Sequence, residues 1–137
     1  MSEYTPEEQK EHRKMWVEAL KSGEYKQGMG ALCRERNGTF EYCCLGVACE
    51  ISGPGKFVPR DYSQLGVYKF VIKDGQSQDG ALPKVVQDWL GLSDRYGSYW
   101  GISPSPLSTN NDRGTLFTSI ADIIESEPDG LLSSIKE

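Results

Sequence analysis

The chain lacks most of the features that make an enzyme recognisable. Its 137 residues include one histidine, His12, so a cysteine or serine nucleophile has a single imidazole to serve as its base. The G-x-S-x-G and H-E-x-x-H patterns of two large hydrolase classes do not occur. Gln27-Gly28-Met29-Gly30 lacks the third glycine of a dinucleotide fingerprint and the Lys-Ser/Thr of a P-loop. We therefore expect a non-catalytic protein ahead of an enzyme.

The sequence also lacks an apolar run long enough to span a bilayer. Residues 1–8 are acidic and polar, unlike the basic and apolar start of a signal peptide. The formal net charge of −5 argues against a broad phosphate-binding face for DNA or RNA. The length suits one domain over residues 1–137 with its own core. We expect a cytoplasmic protein with no membrane or nucleic-acid polymer as partner.

All the cysteines fall in one short stretch, as Cys33, Cys43, Cys44 and Cys49. The spacing C-x9-C-C-x4-C does not match the paired short spacings of zinc sites, and adjacent cysteines on a helix point in different directions. A Cys33–Cys43 disulfide is geometrically feasible, but a reducing compartment disfavours it. We interpret the cluster as small buried core residues and predict no metal and no cofactor.

Local signals predict an α+β protein with three or four helices packed on a small antiparallel sheet. Thr5, Pro6 and Glu8 begin the first helix as a capping box, and Gly23 ends it. Asn37-Gly38 predicts a β-hairpin that pairs Cys33 with Tyr42. The predicted helices are 6–22, 43–51, 83–90 and 115–126; 67–72 is a predicted strand, and 76–80 and 93–114 are predicted loops. Met15 and Leu116 are assigned to core faces of the first and last helices.

Thr109-Asn110-Asn111-Asp112-Arg113-Gly114 is the first candidate site. It offers amides, a carboxylate and a guanidinium just before a helix N-terminus, a combination that can hold ribose hydroxyls or phosphate. An Asx turn with a helix cap explains it equally well. Tyr96, Tyr99 and Trp100 provide either a stacking surface for a base or cover for the core. The 27–30 segment is either a tight turn or an anion nest near Arg34 or Arg36.

Motifs spread over almost the whole chain resemble a family of small proteins found in bacteriophages and prophages. They are W-V-E-A-L-K-S-G-E-Y-K-Q-G from Trp16, C-C-L-G-V-A-C from Cys43, L-P-K-V-V-Q-D-W-L-G-L from Leu82, N-D-R-G from Asn111 and I-A-D-I-I-E from Ile120. The chain departs from the family pattern at Ala48, where leucine is more usual, and at Leu116, where serine is often found. Neither departure changes an obvious chemical group.

Phage proteins of this size include several that counter host defences by binding nucleotide-derived immune signals, and the resemblance implies this class. The leading hypothesis is sequestration, without catalysis, of a cyclic ADP-ribose derivative or a cyclic oligonucleotide in the host cytoplasm. A homo-oligomer fits this class, since such proteins often bind ligand between subunits. The site residues we expect are Trp100 or Tyr99 for base stacking, Asn110, Asn111 and Asp112 for ribose, Arg113 and Arg34 for phosphate, and Trp16, Tyr25 and Gln27 for the opposite wall.

Two other functions stay open at this point. The acidic side chains Asp122, Glu125 and Glu127 would let the chain inhibit a host enzyme as a protein partner. A small enzyme that degrades a nucleotide signal would have His12 and Asp112 as its evident acid–base pair.

Overall fold

The computed structural model of the chain describes residues 4–53, 55–59, 66–72, 77–78, 80–99 and 106–133. The predicted site residue Trp100 lies outside these ranges, as does the turn expected at Asp74-Gly75.

The described residues form an α+β structure, which confirms the predicted class. The helices are α1 (Pro6–Lys21), α2 (Cys44–Ser52), α3 (Lys84–Leu90), α4 (Leu107–Asp112) and α5 (Phe117–Ser126). The strands are β1 (Lys26–Gln27), β2 (Cys33–Arg36), β3 (Thr39–Tyr42), β4 (Gly55–Pro59), β5 (Val67–Ile72) and β6 (Ser77–Gln78). The sheet order is β1-β3-β2-β5-β4, and β6 also pairs with β5. Because β1 runs parallel to β3, the sheet is mixed and not purely antiparallel.

Helix α1 and the β2–β3 hairpin follow their local signals. Thr5 Oγ1 accepts from Glu8 N at 3.1 Å and Thr5 N donates to Glu8 Oε1 at 2.9 Å, which completes the capping box. In the hairpin, Asn37 and Gly38 have φ values of 54° and 79°, and Cys33 pairs with Tyr42 as expected.

The cysteine block forms the buried start of the core. Helix α2 is buried from Cys44 to Cys49, and all the cysteines are buried free thiols. The interpretation as core residues is therefore confirmed, and the Cys33–Cys43 disulfide does not form. Gly46 is required here, because a side chain on it would overlap the backbone carbonyl of Leu32. The backbone just before β2, at Leu32, thus packs directly against the α2 backbone at Gly46.

Three predictions about local structure are wrong. The 93–114 loop contains α4, whose residues Ser-Thr-Asn-Asn-Asp have low helix propensity. The fixed φ of Pro106 and the fully buried Leu107 anchor it instead. The 76–80 loop contains β6. Leu116 is 65% exposed and precedes α5 as its N-cap, so it is not a core residue.

The core face of α1 is also rotated from the predicted one. Met15 is 41% exposed, whereas the polar side chains of Gln9 and Arg13 are buried. These two side chains hydrogen-bond backbone carbonyls of α3, so they belong to the buried face although they are polar.

Within the described residues, no helix has the length and apolar character needed to cross a membrane.

Candidate functional site

A cavity of about 390 Å³ opens beside α4 and is the candidate site. Its volume lies near the lower end of the roughly 300–1,000 Å³ typical of small-molecule pockets. The lining residues come from the loop before β2, the start of α2, the loops around α3 and one face of α4. They are Gly30, Ala31, Cys43, Gly80, Tyr96, Pro106, Ser108, Thr109 and Asp112.

Asn111 fixes α4 against the rest of the fold. The residue is fully buried, and its Oδ1 accepts from Cys44 N at 3.2 Å and from Gln27 Nε2 at 2.8 Å. Its Nδ2 donates to Gly28 O at 2.7 Å. Because Cys44 is the first residue of α2, the Asn111 side chain caps that helix although it is distant in the sequence. Asn111 therefore fixes α4 in place, and it has no exposed surface to offer a ligand.

Gln27 extends the same network to α5. Its Nε2 also donates to Thr115 O at 2.7 Å, and its Oε1 accepts from Phe117 N at 3.1 Å. Phe117 is the first residue of α5, so the start of that helix is held by a side chain from β1. We call the Gln27 and Asn111 side chains together the α4 junction. Their amide groups are engaged within the protein, so we assign them a structural role.

Asp112 faces the cavity from the last turn of α4. Its Oδ1 accepts from Gly30 N at 2.9 Å, where Gly30 has a φ of 83°. Of the two interpretations of residues 27–30, the anion nest would use the N–H of Gly30, and the protein's own carboxylate already accepts from that N–H. Asp112 Oδ2 accepts no hydrogen bond from a described residue, which leaves one carboxylate oxygen for a ligand hydroxyl.

Tyr96 contributes an aromatic ring to the cavity. It is 39% exposed, and the Cζ atom of Arg95 lies 5.3 Å from its ring centroid. Tyr96 O accepts from Ser108 N at 3.3 Å, so the ring is positioned against the first turn of α4. An exposed ring beside hydroxyl groups suits a ligand that has one flat apolar part and one polar part.

Cys43 lines the cavity as a neutral thiol. Burial raises its pKa to about 11, although backbone hydrogen bonds from Gly46 and Leu45 oppose the shift. Burial also raises the pKa of Cys33 to about 12, and the pKa values of Cys44 and Cys49 are raised well above the ordinary value. The thiolate is the nucleophile in cysteine chemistry, so at neutral pH these groups are inert.

His12, the other candidate for catalysis, has a structural environment. Its Nδ1 donates to Trp89 O at 2.7 Å, and its ring stacks on the Trp89 ring with centroids 4.0 Å apart. Asp112, its expected partner, instead accepts from Gly30 N. No hydrogen bond joins His12 to Asp112 in the described structure.

The structure separates the sequence-predicted site residues into groups. Asp112 lines the cavity, as do Thr109 and Tyr96 of the candidate segments, whereas the other described residues with an expected ligand contact do not. Trp16 has no exposed surface, and its Nε1 donates to Cys44 O at 2.9 Å. Tyr25 contacts the ring of Tyr42 edge-on, with centroids 5.4 Å apart. Asn110 Nδ2 donates to Tyr99 OH at 2.7 Å, so these two residues pair with each other outside the cavity lining.

The two predicted arginines lie near the cavity but do not line it. Arg113 is the exposed C-cap residue of α4. Arg34 projects from β2, and its Nη2 lies 3.8 Å from the position that a Cβ on Gly30 would occupy. Its Nε is buried and has no hydrogen-bond partner. Arg34 is therefore the guanidinium best placed to meet an anionic part of a ligand at the Gly30 edge.

Of the cavity residues, Ser108 and Cys43 are not predicted as site residues from the sequence, and Thr109 is predicted only as the start of the candidate segment. Ser108 and Thr109 lie four and three residues before Asp112, so each is its neighbour on the surface of α4. This periodicity is visible in the sequence, but it carries information only once residues 107–112 are known to be helical. Among the described residues, no three His, Cys, Asp or Glu side chains are grouped so that they could hold a metal ion.

The chain folds as a small α+β protein with a polar cavity beside α4. The amide groups of the α4 junction are hydrogen-bonded within the protein. Residues 8–128 match the family model of a domain of unknown function, DUF8296, and the chain belongs to that family. Searches of curated proteins and of solved structures found no match.

Proposed function

We propose that the protein binds and sequesters a small nucleotide-derived ligand in the cavity beside α4, without chemical change to that ligand. The observation that carries the proposal is the composition of the cavity. It combines one exposed aromatic ring, the hydroxyl-bearing residues Ser108 and Thr109, a partly engaged carboxylate and a thiol that is neutral at pH 7.

Each part of a nucleoside has a suitable partner in this cavity. The ring of Tyr96 can stack on a base, and the free oxygen of Asp112 can accept from ribose hydroxyls. Ser108 and Thr109 can donate to or accept from the sugar. Arg34, at the Gly30 edge, can meet a phosphate. These roles replace those first assigned to Asn110, Asn111 and Trp16.

The volume favours one nucleoside unit. A cavity of about 390 Å³ suits a mononucleotide, or one unit of a larger signal whose remainder lies outside. A cyclic ADP-ribose type of ligand therefore fits the proposal better than a cyclic oligonucleotide enclosed whole. In the phage counter-defence role that the sequence resemblance implies, this binding would withdraw an immune signal from the host cytoplasm.

Sequestration is favoured over degradation by the state of the polar groups. The cavity thiol has a pKa of about 11, and the imidazole of His12 is hydrogen-bonded to Trp89 O. Neither is available as a nucleophile or base in the cavity. A protein that only binds needs neither group.

Native mass spectrometry of the protein with a panel of nucleotide signals tests the proposal. We expect a bound mass that is recovered unchanged after denaturation. Altered nucleotide recovered in its place would indicate an enzyme, and the absence of any bound species would contradict ligand binding at this cavity.

A matched pair of threonine variants localises the site. Thr109→Val keeps the shape of the side chain and removes its hydroxyl from the cavity. We expect about a tenfold loss of affinity by calorimetry, because one hydrogen bond is lost. Thr118→Val makes the same change at an exposed position of α5 and should leave affinity unchanged. Equal affinities in the two variants would place the ligand elsewhere.

A further inference from the structure

One face of the sheet concentrates positive charge in an otherwise acidic chain. Successive residues of a strand point to opposite faces, so the strand register shows which side chains share a face. Arg34 pairs with Glu41 and Val67, Lys56 pairs with Val71, and Lys69 pairs with Val58. Together with Lys26, which pairs with Glu41, these residues define what we call the basic sheet face. Its charged members are Lys26, Arg34, Arg36, Glu41, Lys56 and Lys69.

The positive charge of this face is only partly neutralised. Glu41 forms ion pairs with Lys26 at 3.5 Å and with Arg36 at 3.6 Å. Arg34, Lys56 and Lys69 form no ion pair in the part of the chain that the structure describes. The face carries five cations and one carboxylate, whereas the whole chain has a formal net charge of −5.

Arg34, the guanidinium that also lies at the Gly30 edge of the cavity, lacks a full set of acceptors within the protein. Its Nε is buried without a hydrogen-bond partner, and it is the only such side-chain atom among the described residues. Buried polar groups are almost always hydrogen-bonded, because leaving one unpaired is costly. A carboxylate or phosphate docked on this face would supply the missing acceptor.

We propose that the basic sheet face binds a partner protein through an acidic surface of that partner. Val58 and Val71 lie among the cations and are half-buried, so the face offers apolar contacts inside a ring of charge. This combination is typical of protein interfaces, where charge complementarity directs association.

Nucleic acid is a poorer match to the same face. Binding of single strands depends on aromatic rings that stack on bases. The aromatic residues of the described strands lie on the opposite face, where they contact one another in a chain of edge-on pairs. They are Phe40, Tyr42, Phe57, Tyr68 and Phe70.

Two other modes of protein binding are also disfavoured. Strand addition at the β4 edge is hindered by Lys56 and Pro59, since lysine and proline protect edge strands against pairing. A second copy of this chain would have to contact the face with a different surface, a heterologous contact that builds rings or filaments and not the commonest two-fold dimer.

Charge reversal on the face tests the proposal with two labelled probes. One is a glutamate-rich peptide with interspersed leucines, and the other is single-stranded DNA of equal charge. We expect the protein to bind the peptide more tightly than the DNA, measured by fluorescence anisotropy. The triple variant Arg36→Glu, Lys56→Glu, Lys69→Glu should lose peptide affinity by about tenfold or more.

A matched control separates the face from net charge. Lys10→Glu, Lys14→Glu, Lys84→Glu makes the same change of charge on exposed helical positions and should retain peptide affinity within about twofold. If the triple face variant fails to fold by circular dichroism, the single variant Lys56→Glu at the sheet edge replaces it. Retained nucleotide binding in the face variants separates this proposal from the proposed function.

The other outcomes overturn the proposal. Tighter binding of DNA than of peptide would identify a nucleic-acid surface. Equal loss in the face and control variants would indicate a general effect of charge. Concentration-dependent assembly of the wild-type protein, abolished by the face variant in sedimentation, would identify a second copy as the occupant. Lack of peptide binding by the wild-type protein would refute the interface directly.

Discussion

Two polar junctions hold helix ends in this protein, and they differ in how their hydrogen bonds are distributed. At the end of α3, three side chains of α1 each donate to one carbonyl. Gln9 Nε2 donates to Asp88 O at 2.8 Å, His12 Nδ1 to Trp89 O at 2.7 Å, and Arg13 Nη1 to Leu90 O at 2.7 Å. We call this set the α1–α3 junction. It supplies donors and positive charge where the helix dipole is negative.

The α4 junction binds the N-terminal ends of two helices, whereas the α1–α3 junction binds the C-terminal end of one. The hydrogen bonds of the α4 junction are also shared between two side chains. Asn111 Oδ1 receives the first N–H of α2, and Gln27 Oε1 receives the first N–H of α5. The two amides also bond to each other, at 2.8 Å. Loss of one side chain here leaves several buried groups without partners, whereas loss of one side chain at the α1–α3 junction frees a single carbonyl. The α4 junction is therefore the more fragile, and it also holds the helix that carries Ser108, Thr109 and Asp112 of the cavity lining.

Asn111→Ala should have the largest effect. It leaves Cys44 N, Gly28 O and one Gln27 N–H without their partner in a buried site. We expect the free energy of unfolding to fall by about 3–4 kcal/mol, measured by urea denaturation. Ligand binding in the cavity should weaken as well, because α4 loses its anchor.

The neighbouring residue provides the control. Asn110→Ala removes a single hydrogen bond, from Nδ2 to Tyr99 OH, at a half-buried position. Its expected cost is about 1 kcal/mol. If both variants lost equal stability, the idea that shared bonds make the α4 junction fragile would be incorrect.

Arg13→Met should give an intermediate effect that is confined to stability. Burial lowers the pKa of Arg13 and Glu127 opposes the shift, yet the guanidinium stays charged. The variant frees Leu90 O and breaks the contact of 3.5 Å between Arg13 Nη2 and Glu127 Oε2. Glu127 remains exposed to solvent, so the expected loss is about 1–3 kcal/mol.

The α1–α3 junction does not line the cavity, so nucleotide affinity in Arg13→Met should match the wild type. His12→Phe should reduce stability by less than Arg13→Met. A ring remains to stack on Trp89, and one hydrogen bond is lost. Its expected cost is about 1 kcal/mol. An Arg13 variant that weakened ligand binding as much as Asn111→Ala would show that the two junctions are coupled.

The same contrast explains what the sequence could predict. Helix α1 and the β2–β3 hairpin are specified by residues close in the chain, such as Thr5 with Glu8 and Asn37 with Gly38. Helix α4 is specified by Asn111, whose partners are 67 to 84 residues away. No local pattern reports such contacts, and the polar sequence of α4 resembles a loop.

The candidate site was predictable in part for the same reason. Asp112 was identified because a carboxylate near a helix start is a local signal, and it does line the cavity. The sequence also predicts ligand contacts for Asn111, through ribose hydroxyls, and for Gln27, as part of the opposite wall. Their burial follows from long-range pairing, which a single sequence does not show. The burial of Arg13 and Gln9 in the α1–α3 junction is not predicted from the sequence, for the same reason.

The smallest expected effect is a gain in stability at Leu116. This residue is the N-cap of α5, is 65% exposed and makes no side-chain cap hydrogen bond. In Leu116→Ser, the hydroxyl can accept an N–H from the second or third residue of the helix. Serine is a favoured N-cap, so we expect the free energy of unfolding to rise by about 0.5–1 kcal/mol. Leu116→Ala shortens the side chain without adding an acceptor and should give no gain.

The Leu116→Ser variant also tests whether a local cap and the distant Gln27 cap act on different N–H groups of α5. Gln27 Oε1 already accepts from Phe117 N, the first N–H of α5. In Leu116→Ser, the hydroxyl would accept from the N–H of the second or third residue of the helix. The two caps use different donors, so their effects should add. In a double-mutant cycle with Gln27→Ala, we expect a coupling energy below about 0.5 kcal/mol. A larger coupling would mean that the serine takes over the N–H that Gln27 now holds, and that the start of α5 depends less on the α4 junction than its hydrogen bonds indicate.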